Sequence, residues 1–469
     1  MNHHKVFIFL IALILLLLGC SESNRQLSET SESESLGGQA EDQITYYSHI
    51  KPIFDAYCVD CHNTDGIAPF PLDEYSVFLP YLDPIMHSIN QKTMPPWGAS
   101  DSGVPFKYDQ RLTDTQLALI TQWVDEGAVE GAPESEAPAL TLDKGGLDRV
   151  DITLSLPTVY TPTRDRLDDY RCFVLPWPLE EENNIIGFSG VPGNAKSVHH
   201  LVAFKIEPDQ AELVDGFEEI DDGPGYTCFG DANPSNWEPD SLADTLVYSF
   251  VGQWAPGQDG TVFPQRSGQQ VKAGSRIILQ VHYSTVAEGD LSDQSSIQLM
   301  LDKDIERESI YLPWFNLAWY LQPDSMLIPA GQDQVSHIFS GKLSESAGAR
   351  YLAGHLDFSE GAYLHAIFPH MHTLGRQFTV RHLSSEGQIT PILHIPEYDF
   401  NWQREYHLQE PILIRPDDQL ELECVWDNTM EQRLKSGLMV EELFDVSWGD
   451  GTYDEMCIGM MYLTPVAQE

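Results

Sequence analysis

Six side chains hold most of the chemistry open to this chain: His199 and His200, His282, His370 and His372, and Met456. They sort into an imidazole-only set (His199, His200, His282) and a set that adds a thioether (His370, His372, Met456), which is the ligand chemistry of two separate copper ions. Neutral imidazole suits copper in general and a soft thioether favours the cuprous state, so the split points to redox chemistry. A second cluster, Cys58-Val59-Asp60-Cys61-His62, is the C-x-x-C-H pattern of c-type haem attachment, with two thiols as anchors and His62 as the proximal imidazole. Methionine is a common second axial ligand and raises the potential. Met94 in Thr93-Met94-Pro95-Pro96-Trp97 is the candidate, because the following prolines stiffen its loop, and Met86 is the fallback. Taken alone, C-x-x-C-H could also be a redox pair or half a zinc site.

The elements that position these residues differ along the chain. Around the haem motif the pattern is helical: Ile50, Ile53, Phe54 and Tyr57 recur at helical spacing. Further on, Thr113 and Gln116 form a capping-box signature ahead of a buried stripe, Leu117, Ile120, Trp123 and Val124, that stops at Gly127. The segment 44–131 resembles a small, all-α class I cytochrome c domain, and the Pro, Glu and Ala run after it reads as a linker over 132–145. From there on, short β-branched or alternating runs (150–154, 275–283, 419–426) are broken by Gly, Pro, Asn and Asp, the signature of antiparallel β-sandwiches. About 320 residues is more than one sandwich needs, so the reading is two all-β domains divided near Ile305. On a strand, His370 and His372 share a face and can reach one ion. Adjacent His199 and His200 point to opposite faces of a regular strand, so both reach one metal only if the backbone bends or they stand at a sheet edge. That one of them is instead a packed histidine stays open, and His365 is read as structural.

Length and charge bound the partners. The 469 residues are 42% apolar, enough for sizeable cores, and 72 acidic against 26 basic residues give a formal charge of -46. Such a charge argues against nucleic acid and describes an acidic solvated surface. At the N-terminus, Lys5 precedes an apolar run over 6–18 that ends in Leu17-Leu18-Gly19-Cys20. This resembles a bacterial lipoprotein signal (1–19) that leaves Cys20 lipidated; about 13 apolar residues fall short of the roughly 20 that span a bilayer. The Ser- and Glu-rich stretch beyond it is too polar for a core and reads as a disordered tether over 20–43. The expected address is an exported, membrane-anchored lipoprotein, periplasmic or at the cell surface. Ser21, where many inner-membrane lipoproteins carry Asp, favours the outer membrane.

Seven cysteines need an account. Cys20 takes the lipid, Cys58 and Cys61 the haem, and Cys172, Cys228, Cys424 and Cys457 remain, an even number suited to two disulfides in an oxidising compartment.

Four ordered motifs carry a family resemblance: Ser197-Val198-His199-His200-Leu201, Leu279-Gln280-Val281-His282-Tyr283, His370-Met371-His372-Thr373-Leu374-Gly375 and Asp454-Glu455-Met456-Cys457. Together they resemble the ascorbate-dependent type II copper monooxygenase family, of the peptidylglycine α-hydroxylating and dopamine β-hydroxylase kind, over about two thirds of the chain. The resemblance implies two jelly-roll-like β domains, 146–305 and 306–469, that face each other across a solvent-filled cleft. It implies an electron-transfer copper at His199, His200 and His282, and a copper at His370, His372 and Met456 where O2 is activated. It also implies the pairings Cys172 with Cys228 and Cys424 with Cys457, the second of which would steady the neighbouring Met456.

The chain is accordingly expected to be a copper-dependent monooxygenase that hydroxylates a C–H bond of an unidentified organic substrate with O2. Ascorbate or a redox protein would be the donor, and electrons would arrive through the fused haem. Amidating members of the family grip a substrate carboxylate with Arg, Asn and Tyr at positions that here are Phe368, Ile458 and Met460, none of which anchors a carboxylate. Peptide amidation is thus not expected; Phe368, Ile458, Met460 and Met461 fit an apolar pocket, and buried strand packing explains them equally well. The alternative is an exported haem and copper electron-transfer or copper-binding protein without hydroxylase activity.

Overall fold

The N-terminal helices form because their apolar residues close on one another. Tyr46–Ile50, Lys51–Tyr57, Leu82–Asn90 and Asp114–Asp125 bury Ile50, Ile53, Phe54, Ile85, Ile89, Ile120 and Trp123 in one small core. Both bonds of the Thr113–Gln116 capping box are present, and the chain leaves the last helix through Gly127, at φ +94°, where a side chain would be strained. In this computed structural model the described residues are 43–466, apart from 65, 166–167, 229–231, 236, 238–246, 265, 286–288, 347–355, 438–441, 450 and 452. The leader, Cys20 and the tether to residue 42 lie outside them.

The expectation of an all-helical 44–131 fails in its middle. After Trp97 the chain runs extended along the C-terminal β domain: Ser100 N–H donates to the His394 carbonyl (2.8 Å), Val104 to Ile392 (3.1 Å) and Lys107 to His407 (2.8 Å), and Phe106 bridges to Leu408. The strands it meets, Ile389–Ile395 and Tyr406–Ile414, are the outer strands of two different sheets. Phe106 and Ala99 sink into the C-terminal core, and their backbone groups must then be paired; the unpaired sheet edges supply the partners. The expected linker also packs back, through Lys51–Glu136 (3.1 Å) and an ion pair of Lys144 with Asp60 inside the haem motif.

Among the described residues, the β region comprises four sheets around two large apolar cores. In the first half a five-stranded sheet runs Tyr226–Thr227, Asp168–Pro176, Arg276–Ser284, Val198–Ile206, Tyr248–Trp254, with a six-stranded sheet behind it. The second half stacks two four-stranded sheets. One runs Ile310–Trp314, Ile458–Pro465, Ala362–His370, Tyr406–Ile414, and the other Val335–Gly341, Gln419–Trp426, Gly375–Leu383, Ile389–Ile395. Among the strands of the described residues pairing is antiparallel except where Arg307–Glu308 joins Ser267–Val271, and an isolated bridge of Trp448 with Glu455 is parallel as well. Disulfides join Cys172 to Cys228 and Cys424 to Cys457, which fits an extracytoplasmic setting. Among the described residues no helix is long and apolar enough to cross a membrane.

Candidate metal centres

His199, His200 and His282 converge. His282 lies directly opposite His200 on the neighbouring strand, and the register slips between Val198 and His200. His199 is the extra residue of that bulge, and a bulge re-aims a side chain that a regular strand would send to the other face. The open question about the adjacent pair is thereby answered: both imidazoles point inward. The three Nδ1 atoms stand 3.1 Å (His199 to His282) and 3.3 Å (each to His200) apart. A metal bound to each nitrogen at about 2.0 Å in tetrahedral fashion needs nitrogens about 3.3 Å apart, so the triangle has the right size. Burial holds all three pKa values down, well down for His200 and His282, which keeps the lone pairs free for a cation. The His282 Nε2–H donates to Asp168 Oδ1 at 2.8 Å, fixing Nδ1 as the free nitrogen, and the Tyr170 ring stacks on His282 at 4.0 Å.

The second set presents the opposite nitrogen. His370 ends its strand and donates from Nδ1 to Gln403 Oε1 (2.7 Å), while His372 donates from Nδ1 to the Asp454 carbonyl (3.0 Å). Both keep Nε2 as the free atom. Their rings lie 5.2 Å apart, and burial depresses both, His372 to about 3. The loop between them is tied to Glu455, which accepts the N–H of His372 (2.9 Å), the N–H of Leu374 (2.6 Å) and the Trp426 indole (2.8 Å). Burial pushes this carboxyl up to about 8 against the pull of those donors. Met456 is the next residue, buried at 5% exposure, and Cys457 beyond it is tied to Cys424.

Between the sets stands Phe400, whose ring centroid is 6.3 Å from those of both His199 and His372. The cleft implied by the resemblance is thus bridged here by an aromatic ring. Phe368 shares the face of His370, opposite Met460, and Ile458 lies opposite His370. Phe368 is buried yet belongs to neither large apolar core. His365 bonds Thr464 Oγ1 (2.8 Å). Asp168, Gln403, Glu455 and Phe400 were missed as site residues; only Glu455, inside the Asp454–Cys457 motif, left a sequence signal.

In the C-x-x-C-H segment the two cysteines are free of disulfides. Backbone bonds from Cys61 and His62 to the Cys58 carbonyl coil the motif into a turn, and His62 Nδ1 bonds the Phe70 carbonyl at 2.9 Å, which leaves Nε2 available. Burial raises the thiols, Cys58 to about 12 and Cys61 to about 11, the opposite of an activated redox pair. A cleft of about 270 Å³ adjoins the motif, lined by Asn63, Pro69, Phe70, Pro71 and, from the turn before the His199 strand, Lys196. A side chain added at Gly257 would meet Cys61 Sγ at 3.8 Å. Met94 is 42% exposed on its loop, whereas Met86 packs against the helical core.

Residues 323–469 match the family model described as copper type II ascorbate-dependent monooxygenase, C-terminal domain. The chain is 23% identical over 381 residues to DBH-like monooxygenase protein 1 of Homo sapiens, covering 76% of this chain and 56% of that protein. It is 22% identical over 341 residues to MOXD1 homolog 1 of Drosophila melanogaster (68% and 43%), and 22% over 316 residues to DBH-like monooxygenase protein 1 of Mus musculus (65% and 46%). The chain therefore spans about half the length of the curated relatives it matches. The matched domain contains His370, His372, Met456 and the Cys424–Cys457 disulfide; the three-imidazole set lies before it.

Proposed function

We propose, for a chain whose residues 323–469 match the C-terminal domain of the copper type II ascorbate-dependent monooxygenases, that it inserts one atom of O2 into a C–H bond of an apolar organic substrate. The balanced reaction is R–H plus O2, two electrons and two protons to R–OH and water. One observation carries the reading: three neutral Nδ1 atoms converge within 3.3 Å, and a separate imidazole pair has its Nδ1 atoms occupied and its Nε2 atoms free.

His199, His200 and His282 would hold one copper, and His370, His372 and Met456 the other. When bound, this pair supplies one-electron storage and O2 activation. The protein's own part is to keep the imidazoles neutral by burial, to fix which nitrogen faces the metal through Asp168, Gln403 and the Asp454 carbonyl, and to hold the His370–His372 loop on Glu455. Phe368, Met460 and Ile458 would shape the substrate side, and their apolar character supports a substrate without a carboxylate to grip.

Cys58, Cys61, His62 Nε2 and Met94 would hold a covalent haem, which would supply single electrons alongside ascorbate or a redox protein. The unpaired thiols, the His62–Phe70 bond and the cleft reaching Lys196 support it. Export and a lipid anchor at Cys20 complete the proposal.

The test is metal analysis with product detection over a panel of hydroxylatable substrates, in wild type and Met456→Ala. Wild type should bind two coppers and form hydroxylated product, and the variant should lose product. Full activity in the variant removes the proposed oxygen site, and copper binding with no product on any substrate favours the electron-transfer alternative. For the haem, rapid mixing of the reduced chain with substrate and O2 should show haem oxidation in step with product; no coupling removes it as donor.

A further inference from the structure

The turn from Tyr398 to Arg404 is fastened to the His370-Met371-His372 motif at three points. The Tyr398 hydroxyl donates to the Met371 carbonyl and accepts from the Met371 N–H, both at 3.0 Å, so it grips the residue between the two histidines. Gln403 accepts from His370 Nδ1 (2.7 Å), and its amide donates to the Phe400 carbonyl (3.1 Å). Within the turn, the Asn401 backbone and side chain both donate to Asp399 Oδ1, and Trp402 N–H donates to the Asp399 carbonyl. Phe400 is thus carried on a closed, internally bonded turn that cannot move without disturbing His370 and Met371.

Its ring reaches beyond the C-terminal domain. It lies nearly parallel to His199 (23°) and edge-on to His372 (77°), at 6.3 Å from each. One side chain of the second domain therefore lies within aromatic-pair range of a ligand candidate of each set.

We infer that Phe400 is a positioning residue that fixes the separation of the two metal centres locally, by placing a phenyl ring between His199 and His372, at a distance from the buried Phe250, Phe263, Tyr311 and Tyr462 contact that joins the two β regions. The inference rests on the two-copper reading above. Phe400 is half-buried and packs against the C-terminal core, and a ring seated on a close-packed core resists displacement. It also excludes water from part of the interval, so a change of charge at one centre is screened less at the other. Removal of the ring leaves a void that the domains must either fill by shifting or concede to solvent.

The experiment loads the full chain with Cu(II) and reads the dipolar coupling between the two copper spins by pulsed EPR, in wild type, Phe400→Ala and Phe400→Leu. Copper per chain and the thermal midpoint are measured on the same samples. Wild type should give one well-defined coupling. Phe400→Ala should lose it, at an unchanged two coppers per chain, and Phe400→Leu should give an intermediate spread. If Phe400→Ala does not fold, Phe400→Leu carries the test, because a partial loss of bulk must already widen the distribution. Two coppers with an unchanged coupling in whichever variant folds overturns the spacer and leaves the two-copper reading intact. Fewer than two coppers in wild type overturns that reading, and the inference with it.

Discussion

The three-imidazole set is made by a sheet, and the His370–His372 set is made by a loop. In the first, two neighbouring strands and one bulge bring three nitrogens together, and a single acceptor, Asp168, orients one ring. In the second, His370 stands at the end of a strand and His372 beyond it. Their placement depends on Glu455, Gln403, Tyr398 and a disulfide, groups from three other places in the chain: the 398–404 turn, Cys424 and the 455–457 segment. A ladder of backbone bonds is redundant, whereas a buried polar network fails when one member is removed. The second centre should therefore be the easier to break.

Glu455→Ala should have the largest effect. It leaves the N–H groups of His372 and Leu374 and the Trp426 indole without their acceptor inside the core, at about 1 to 3 kcal/mol for each unsatisfied group. A loss of roughly 3 to 5 kcal/mol in urea unfolding is expected. Copper should fall from two per chain to one, with the three-imidazole centre retained in the EPR spectrum. Simultaneous loss of both coppers would mean that the sheet-built centre is not independent of the loop.

The two disulfides extend the same contrast. Replacing both cysteines of either pair with serine should cost about 2 to 4 kcal/mol. Removing Cys424–Cys457 should also weaken copper at His370 and His372, because Cys457 adjoins Met456. Removing Cys172–Cys228 should leave copper at His370 and His372 alone and weaken the three-imidazole centre only slightly, since Cys172 shares a strand with Asp168 and Tyr170 but the ladder of that strand with the His282 strand remains. Chelator competition on the two double variants separates these outcomes; equal copper loss in both would dissolve the distinction.

How much of this could be read from the residues divides along the same line. His370 and His372 are legible from their His-x-His spacing, but the strand ends at His370, so a loop pinned to Glu455, and not a period of two, places His372. His199 and His200 were ambiguous because a bulge leaves no mark in a dipeptide; it exists only against the register of the strand that carries His282. Gln403 bonds His370 from 33 residues away, in a turn without a motif, and nothing local marks it or Phe400. The extended run after Trp97 was missed for the same reason: its partners, Ile392, His394 and His407, lie in sheets whose edges cannot be seen from 98–110. The capped helix over Asp114–Asp125 needed only its own residues and was read correctly.

A smaller effect compares the supports of single ligands. Asp168→Ala should weaken copper at the three-imidazole centre, and Gln403→Ala at the other, each by about 10- to 100-fold in affinity. The Asp168 effect should be the greater, because a hydrogen bond to an ionised acceptor is roughly twice as strong as one to a neutral amide. Chelator competition followed at each EPR signal is the measurement. If Gln403→Ala disturbed the three-imidazole signal as much as its own, the turn that carries Phe400 would couple the two centres more tightly than sheet against loop allows.

Acid should test the second domain most gently. Asp418 stands just before the strand Gln419–Trp426, which carries Cys424, and accepts from the N–H groups of Ser385 (2.8 Å) and Arg415 (2.9 Å) and from His382 Nε2 (2.9 Å). Burial works to raise its carboxyl, but these donors outweigh it and hold the group at about 2, below its usual 3.8. A carboxyl depressed by folding adds stability that is present above its ordinary range and disappears as pH falls through its folded value. The contribution, about 1 to 2 kcal/mol, should thus be lost between about pH 4 and pH 2. Acid titration of the copper-free chain, followed by tryptophan fluorescence, should show a shallower loss over that interval in Asp418→Asn than in wild type. An unchanged acid limb would mean that the second domain does not lean on this carboxylate, and would confine its dependence on polar pins to the metal loop itself.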